Sequence, residues 1–319
     1  MVRIVVIDGY TLNPGDNPWT PLERLGTLEV HDRMEPGSVV GVAKDADILI
    51  VNKCQITSAT IEQLPSLKFI AVTATGHNIV ASAAARRRGI PVSNVPEYGT
   101  QTVAQFTWAL ILELCHHVGR HAESVAAGDW TKAKDFCYWL TPQVELAGKH
   151  LGLVGYGRIA QQVGAIGQAF GMKLLASGRA GSPSPKSSSV DWLPTEELFA
   201  RADIVSLHCP LTPDTERIVN QGLLARMRPS SFLVNTSRGG LVDEHALADA
   251  LRAGLLAGAA VDVVSHEPIR PDNPLLSAPN CLITPHMAWT TLAARERLLH
   301  TTAENIAGFL AGKPINVVN

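Results

Sequence analysis

The sequence predicts an α/β fold in which helices cover parallel β-sheets. Short apolar runs alternate with longer amphipathic stretches along the whole chain, as they do where strands and helices alternate. The length of 319 residues suits two domains. One apolar run, residues 151–157, ends in a glycine turn and precedes a segment of helix length. We therefore predict two α/β domains, the second of which binds a nucleotide.

The first third of the chain contains four apolar runs of strand length with helical stretches between them. The strands are predicted at residues 2–7, 48–51, 69–72 and around 91–92, and the helices at 59–64 and 80–88. Residues 13–16 (NPGD) form a turn cluster with no catalytic signature.

A long apolar-rich segment, residues 100–123, is the best helix candidate and leads towards the second domain. The glycine turn at 155–157 is followed by a predicted helix over 158–171 and a strand over 172–177. Further strands are predicted at 204–208, 231–236, 256–264 and 281–286, and a last helix from about residue 289.

Composition excludes several classes of protein. Hydrophobic residues make up 46% and the net charge is -2, which argues against disorder and gives no electrostatic footprint for nucleic acid. No apolar run is long enough for a membrane helix, and the N-terminal run is too short for a secretion signal. The five cysteines are widely spaced, and the histidines show no metal-ligand spacing. We expect a cytoplasmic protein with no membrane segment, no metal site and no nucleic-acid partner.

The glycine turn has the pattern G-x-G-x-x-A, formed by Gly155, Tyr156, Gly157, Arg158, Ile159 and Ala160. In such a motif the first glycine allows the tight turn and the second lets the backbone approach a pyrophosphate. The helix that follows offers free N–H groups to the phosphates. The flanking strands and helix favour a dinucleotide site over an ordinary turn.

The end of the next strand indicates which dinucleotide is bound. An NAD site usually has an acidic residue there to accept from the ribose 2′-OH, but this chain reads Ala176-Ser177-Gly178-Arg179, with no carboxylate before Asp191. Arg179, with Ser177 and Lys186, suits a 2′-phosphate. We predict that NADP(H) is favoured, with NAD(H) as the alternative. The plainer interpretation is a solvated Arg179 that stacks on adenine.

Three polar residues follow predicted strands, where open parallel sheets bind ligands: Arg238, Glu267 and His286. Reduction of a 2-keto acid requires a cation to orient the carboxylate and a general acid for the developing alkoxide. A carboxylate beside the imidazole favours its protonated form. Singly, Arg238 is equally compatible with a strand-end contact, Glu267 with a solvated loop and His286 with a buried histidine.

Together these motifs resemble the D-isomer-specific 2-hydroxyacid dehydrogenase family. The resemblance runs over nearly the whole chain and rests on the glycine turn, NTSRGGLVDE, VDVVSHEP and TPHMAW, in that order. Within the family, the segments DGYTLNPGD, VNK, VTATGHN and KDFCYW most resemble glycerate dehydrogenases, also called hydroxypyruvate reductases. It implies an oxidoreductase that converts hydroxypyruvate or glyoxylate to D-glycerate or glycolate, with His286 as acid/base, Glu267 as its partner and Arg238 as the orienting cation.

The same resemblance implies further site residues and the division of the chain. Substrate contacts are implied at Lys53, Thr75, Gly76 and His77. Besides the glycine turn, Ser177, Gly178 and Arg179, cofactor contacts are implied at His208, Cys209, Pro210, Thr215, Thr236, Ser237, Asp262 and Ala288. Both domains are expected to be Rossmann-like. Residues 1–98 plus 290–319 would form a flavodoxin-like substrate domain and 99–289 the dinucleotide-binding domain. A homodimer is expected through residues 100–139, with KDFCYW approaching the partner's active site.

The chain departs from the family pattern at two positions. Ala81 replaces a common Asp that we interpret as a helix cap, a role that Ser82 is expected to fill. His77 occupies a position where specificity can be tuned. Among the remaining histidines, His116 and His117 are expected on a surface or dimer contact, and His266 is expected to point away from His286.

Other functions on the same fold remain open. They are another 2-keto acid reductase, a phosphoglycerate dehydrogenase, or a nucleotide-sensing binding protein that retains the same residues.

Overall fold

The computed structural model of the chain describes residues 1–178 and 189–319. It divides into two compact units, one comprising Met1–Gly99 with Trp289–Asn319 and the other Thr100–Ala288. The chain crosses between units one residue away from each of the expected boundaries, 98/99 and 289/290.

Twelve strands lie in the described parts of the chain. They are β1 (Arg3–Val6), β2 (Thr27–Val30), β3 (Ile48–Val51), β4 (Phe69–Val72), β5 (Val92–Ser93), β6 (His150–Val154), β7 (Lys173–Ser177), β8 (Val190–Trp192), β9 (Ile204–Leu207), β10 (Phe232–Asn235), β11 (Gly258–Val261) and β12 (Cys281–Ile283).

The α-helices of the described residues vary widely in length. They are α1 (Thr20–Glu23), α2 (Val39–Ala43), α3 (Ser58–Glu62), α4 (Ser82–Arg87), α5 (Thr100–His116), α6 (Val118–Ala126), α7 (Arg158–Ala169), α8 (Thr195–Arg201), α9 (Gln221–Leu224), α10 (Glu244–Arg252) and α11 (Leu292–Leu310). None is both long and apolar enough to cross a membrane.

The first unit is built on a parallel sheet with the strand order β2-β1-β3-β4-β5. This is the flavodoxin-like order, in which ligands bind where the order reverses, between β1 and β3. Every residue of β3 and β4 is buried, because helices cover both faces of such a sheet. The unpredicted β2 lies at the edge, where Thr27 and Glu29 interrupt the apolar pattern.

The second unit is built on a parallel sheet with the order β12-β11-β10-β9-β6-β7-β8. It contains the Rossmann order, with its reversal between β6 and β9. The predicted fold class, two Rossmann-like α/β domains with parallel sheets, is confirmed. Strand β8 was not predicted, because Val190–Trp192 is short and contains Asp191.

The prediction of one helix over 100–123 is wrong. Helix α5 ends at His116, and α6 starts at Val118 after a single residue, His117, with φ 46°. This left-handed residue breaks the helix without changing the composition around it, so the sequence pattern does not reveal it. At the end of α5, the side chain of His116 hydrogen bonds Gln143, with 3.0 Å between Nδ1 and Oε1.

Position 81 is the N-cap of α4, as expected, but the expectation that Ser82 supplies the cap is wrong. Ala81 is the N-cap residue and has no side-chain hydrogen bond, while the Ser82 hydroxyl donates to the carbonyl of Val80 at 3.3 Å. Ser82 is already the first helical residue, one position too late to cap the helix. The last helix begins at Leu292, where the Thr291 hydroxyl accepts from the N–H of Ala294.

Candidate active site

His286 and Glu267 form a hydrogen-bonded pair beyond the carboxyl ends of β12 and β11. Their Nδ1 and Oε2 atoms are 2.7 Å apart, with the His286 side chain 23% exposed. Because the carboxylate can only accept, Nδ1 carries a proton and Nε2 points away from Glu267. Nε2 makes no hydrogen bond to any residue in the described ranges. His266 hydrogen bonds the carbonyl of Pro268 at 3.0 Å instead, so the structure pairs His286 with Glu267.

The backbone turn that carries His286 is anchored by Asp262. The Asp262 side chain is 1% exposed and follows β11. Its Oδ1 accepts from the Thr284 hydroxyl at 2.6 Å and from the N–H of Met287 at 2.9 Å. Its Oδ2 accepts from the N–H of Ala288 at 2.8 Å. These bonds hold His286 at φ 52°, a left-handed conformation that a non-glycine residue rarely adopts. The residue assigned a cofactor contact thus also shapes the histidine turn.

Arg238 follows β10 in an extended conformation and begins the turn of the NTSRGG motif. Its Nη1 donates to the carbonyl of Ser237 at 2.7 Å, and its own carbonyl accepts from the Asn235 side chain at 2.9 Å. The glycine after it is required by packing, because a Cβ on Gly239 would lie 1.9 Å from the Val264 carbonyl carbon. Close contact between the turns after β10 and β11 therefore fixes the backbone beside Arg238.

The glycine turn has the shape of a phosphate cradle. Gly155 has φ 85°, and a Cβ there would lie 2.7 Å from the backbone nitrogen of Cys209. A Cβ on Gly157, by contrast, would meet no atom of the described residues within 4 Å. Helix α7 begins directly after it at Arg158. Gly155 is needed for the turn, and Gly157 leaves open space at a helix N-terminus, as a bound pyrophosphate requires.

The turn after β9 supplies the residues predicted to line the cofactor. The Ser237 hydroxyl donates to the Cys209 carbonyl at 2.8 Å, and the Thr215 hydroxyl donates to Pro210 at 2.7 Å. Burial lowers the pKa of His208 to about 4, so its ring is neutral at pH 7. Nε2 of this ring shares a hydrogen bond with the Ser206 hydroxyl.

Two further predicted cofactor contacts are Thr236, which packs against α5, and Ser177, which ends β7. The Thr236 hydroxyl hydrogen bonds Thr107 of α5 at 2.9 Å. The Ser177 hydroxyl is 2% exposed and has no hydrogen-bond partner among residues 1–178 and 189–319. A buried hydroxyl without a partner at the end of β7, the second strand of this unit, fits the ribose of a dinucleotide. Arg179 and Lys186 lie outside the described residues.

An aromatic contact joins the glycine turn to the end of β8. The Tyr156 and Trp192 rings meet edge to face with centroids 5.8 Å apart. A Cβ on Gly178 would lie 3.0 Å from the Trp192 ring, which leaves little room there for a larger residue. Trp192 was not among the predicted site residues, because β8 was not recognised. Asp191 is paired with Arg201 at 3.8 Å.

In the first unit, Asp8 organises the loop that carries Lys53. Its Oδ1 accepts from the N–H of Asn52 at 2.7 Å, and its Oδ2 accepts from the N–H groups of Lys53 and Cys54 at 2.6 and 2.7 Å. Asp8 follows β1 and Lys53 follows β3, so this cluster lies where the strand order reverses. Asp8 was not among the predicted site residues, although an acidic residue after a buried strand was a usable signal.

The predicted substrate loop 75–77 follows β4 in the same unit. The Thr75 hydroxyl donates to the carbonyl of Val95 at 2.8 Å, and the Thr75 carbonyl accepts from the Asn94 side chain at 2.7 Å. The Asn52 side chain donates to the carbonyl of Thr73 at 2.7 Å and so ties the Lys53 loop to this one. The first unit therefore brings Lys53, Thr75, Gly76 and His77 to one edge of its sheet.

The chain is similar to known D-2-hydroxyacid dehydrogenases. Residues 108–288 match the family model described as "D-isomer specific 2-hydroxyacid dehydrogenase, NAD binding domain". Hydroxypyruvate reductase of Blautia hydrogenotrophica is 46% identical, with 100% of both chains covered. Glycerate dehydrogenase of Methylorubrum extorquens is 40% identical, with 91% of each covered. The structure of an NADPH-dependent glyoxylate/hydroxypyruvate reductase from Sinorhizobium meliloti, with NADP and malonate, superposes with a TM-score of 0.84 at 27% identity, covering 99% of this chain and 96% of that one.

These matches define the class of protein. The chain belongs to the D-isomer-specific 2-hydroxyacid dehydrogenase family, as its motifs predicted. It is an oxidoreductase that uses a nicotinamide dinucleotide.

Proposed function

We propose that the protein reduces hydroxypyruvate and glyoxylate to D-glycerate and glycolate, with His286 as the general acid. The observation that carries the proposal is the 2.7 Å contact between His286 Nδ1 and Glu267, which leaves Nε2 available to a substrate. The relatives named for hydroxypyruvate, glycerate and glyoxylate support the substrate class.

The proton step follows from this geometry. Glu267 accepts from Nδ1 of His286, so the transferable proton is on Nε2. As the ketone is reduced, His286 donates that proton to the developing alkoxide, and Glu267 stabilises the charged ring beforehand. When bound, the reduced nicotinamide supplies the hydride. In the reverse direction, the same nitrogen accepts the proton of the 2-hydroxyl group.

Arg238 is proposed to orient the substrate. A guanidinium binds a carboxylate through two parallel N–H bonds, which fixes the plane of a 2-keto acid. In the first unit, the N–H groups of the loop 75–77 and the side chain of Lys53 are proposed to bind the same class of substrate. That unit, Met1–Gly99 with Trp289–Asn319, is proposed as the substrate domain, and Thr100–Ala288 as the dinucleotide-binding domain.

NADP(H) is proposed as the preferred cofactor. No carboxylate follows Ser177, where one would repel a 2′-phosphate, and the next acidic residue, Asp191, is paired with Arg201. Arg179 is proposed to bind the 2′-phosphate. The glycine turn, the turn after β9, Thr236 and Ala288 are proposed to hold the rest of the cofactor.

A homodimer through residues 100–139 is also proposed. Val118 and Trp139, which are 63% and 69% exposed, line one surface groove together with Val125, and Phe136 is 88% exposed. Contiguous exposed apolar surface marks protein–protein contacts. A second copy of the chain would cover them. We further propose a cytoplasmic location, with no nucleic acid among the partners.

The test is an initial-rate assay with hydroxypyruvate and glyoxylate, comparing NADPH and NADH by the absorbance of the reduced nicotinamide. The proposal expects turnover of both acids and a higher kcat/KM with NADPH. Turnover that favours NADH keeps the activity and contradicts the role of Arg179. Turnover only of bulkier 2-keto acids, or of phosphorylated substrates, contradicts the substrate assignment. No turnover of any of them favours a binding protein.

A further inference from the structure

The proposed substrate loop is held by a side chain to which no role has yet been assigned. Nδ2 of Asn94 lies 2.7 Å from the carbonyl oxygen of Thr75. Because that oxygen can only accept, the nitrogen of the amide must face it. The Thr75 hydroxyl reinforces the contact by donating to the carbonyl of Val95, one residue beyond Asn94.

This hydrogen bond sets the direction of the next N–H group. The Thr75 carbonyl and the Gly76 N–H belong to one planar trans peptide and point in opposite directions. With the carbonyl held by Asn94, the Gly76 N–H is directed away from Asn94. Neither Gly76 nor His77 uses its N–H in a hydrogen bond with the residues that the structure describes. Two adjacent donors are thus left unused on an oriented loop.

Asn94 is itself fixed at both ends of its backbone. Its N–H donates to the carbonyl of Asn316 at 3.1 Å, and its carbonyl accepts from the side chain of Asn305 at 2.9 Å. The fully buried Asn305 in turn accepts from the side chain of Asn316 at 2.8 Å. Asn316, Asn305 and Asn94 form an asparagine relay, in which each side chain donates to the next residue and the last donates to Thr75.

The relay ties the substrate loop to the C-terminal segment. Residues 316–319 run along β5, where the Val318 N–H donates to Val92 at 2.8 Å and the Asn319 side chain accepts from the Val92 N–H at 2.8 Å. Strand β5 has only two residues and pairs with β4 on one side. The C-terminal segment thus supports the strand from which Asn94 projects.

We propose that Asn94 is a positioning residue for substrate binding, and that the asparagine relay lets the C-terminal segment act on substrate affinity. Asn94 aims the Gly76 N–H, and with it the His77 N–H, at the carboxylate of the 2-keto acid without touching it. This inference rests on the proposed function, because it takes the loop 75–77 to be the carboxylate site.

The experiment compares wild type with Asn94→Leu, which removes the donor without adding charge, and with Asn316→Ala at the far end of the relay. KM and kcat for hydroxypyruvate, the inhibition constant of oxalate as an unreactive carboxylate, and the Kd of the cofactor are measured. Asn220→Ala is the matched control, because Asn220 caps α9 in the other unit through Gly222 and Leu223. It is expected to lower Tm and leave KM unchanged.

The expected result is a KM for hydroxypyruvate about tenfold higher in Asn94→Leu and about threefold higher in Asn316→Ala. The oxalate constant rises by the same factors, while kcat changes less and the cofactor Kd does not change. KM values within twofold of wild type, or a parallel rise in the cofactor Kd, would overturn the inference. If Asn94→Leu does not fold, Asn316→Ala decides. If the wild-type protein does not reduce hydroxypyruvate, both the proposed function and this inference are refuted. If the wild type is active and only the expected change in the variants is missing, this inference fails and the proposed function stands.

Discussion

Replacing Asp262 with Asn should damage both the stability of the second unit and the reaction. The Asp262 carboxylate is buried and accepts three hydrogen bonds, from Thr284, Met287 and Ala288. In Asp262→Asn, the amide oxygen can keep the two bonds made by Oδ1. The amide nitrogen then faces the N–H of Ala288, which loses its acceptor in a buried place.

The magnitude follows from the bonds that are lost or weakened. A hydrogen bond to a charged group contributes about 1.5–3 kcal/mol, against about 1 kcal/mol for a neutral one. One such bond is lost and two become neutral, so the free energy of unfolding should fall by about 5 kcal/mol. For a unit of this size that corresponds to a decrease in Tm of about 10–20 °C. Because His286 depends on this turn, kcat/KM for hydroxypyruvate should fall about 100-fold.

Thermal unfolding followed by circular dichroism and initial rates of hydroxypyruvate reduction measure the two effects. Thr284→Val is the control, since it removes one hydroxyl donor and leaves the carboxylate, and should lower the free energy of unfolding by about 1.5–3 kcal/mol. The reasoning is refuted if the free energy of unfolding of Asp262→Asn lies within about 1 kcal/mol of the wild-type value and the variant still reduces hydroxypyruvate at the wild-type rate.

Three further predictions concern single side chains. His208 has a pKa lowered by burial to about 4 from 6.5, so its neutral form stabilises the fold above pH 6.5 and this contribution, at most about 3 kcal/mol, is lost as the pH falls towards 4. Denaturant unfolding should therefore show that the free energy of unfolding falls less between pH 6.5 and pH 4 in His208→Gln than in wild type. An equal fall in both proteins would contradict this prediction. Arg238→Ala should raise KM for hydroxypyruvate and lower kcat in steady-state assays, with an unchanged cofactor Kd; unchanged kinetics would remove Arg238 from the site. The hydrogen bond from Arg295 lowers the pKa of Asp16 from 3.8. The Tm of wild type should therefore exceed that of Asp16→Asn most at neutral pH, and the difference should shrink below pH 3.8 as the carboxylate is protonated. A difference independent of pH would contradict this pairing.

Buried parallel strands were the most predictable part of the fold. Strands β3 and β4 are apolar at every position because both sheet faces are covered, so the sequence marks them clearly. The edge strands β2 and β8 carry polar residues and were missed. The helix break at His117 depends on one backbone angle, which composition does not encode.

The candidate site was predictable where its residues follow strands. Arg238, Glu267 and His286 were selected because parallel strands end at one edge of a sheet. Their partners were harder to find, since Asp262 and Asn94 act through hydrogen bonds to residues distant in sequence. Asn305 lies 211 residues from Asn94, and only the folded chain brings the two together.

The central claim is that His286 supplies the proton for ketone reduction, and His286→Gln tests it most directly. Glutamine keeps a polar side chain of similar reach, and the bonds of Asp262 to the surrounding turn do not involve the imidazole. With cofactor binding measured by nicotinamide fluorescence and hydroxypyruvate reduction measured in a single turnover, the variant should bind cofactor as wild type does and reduce the keto acid at least about 100-fold more slowly. Reduction at the wild-type rate by a variant that binds cofactor normally would contradict the account.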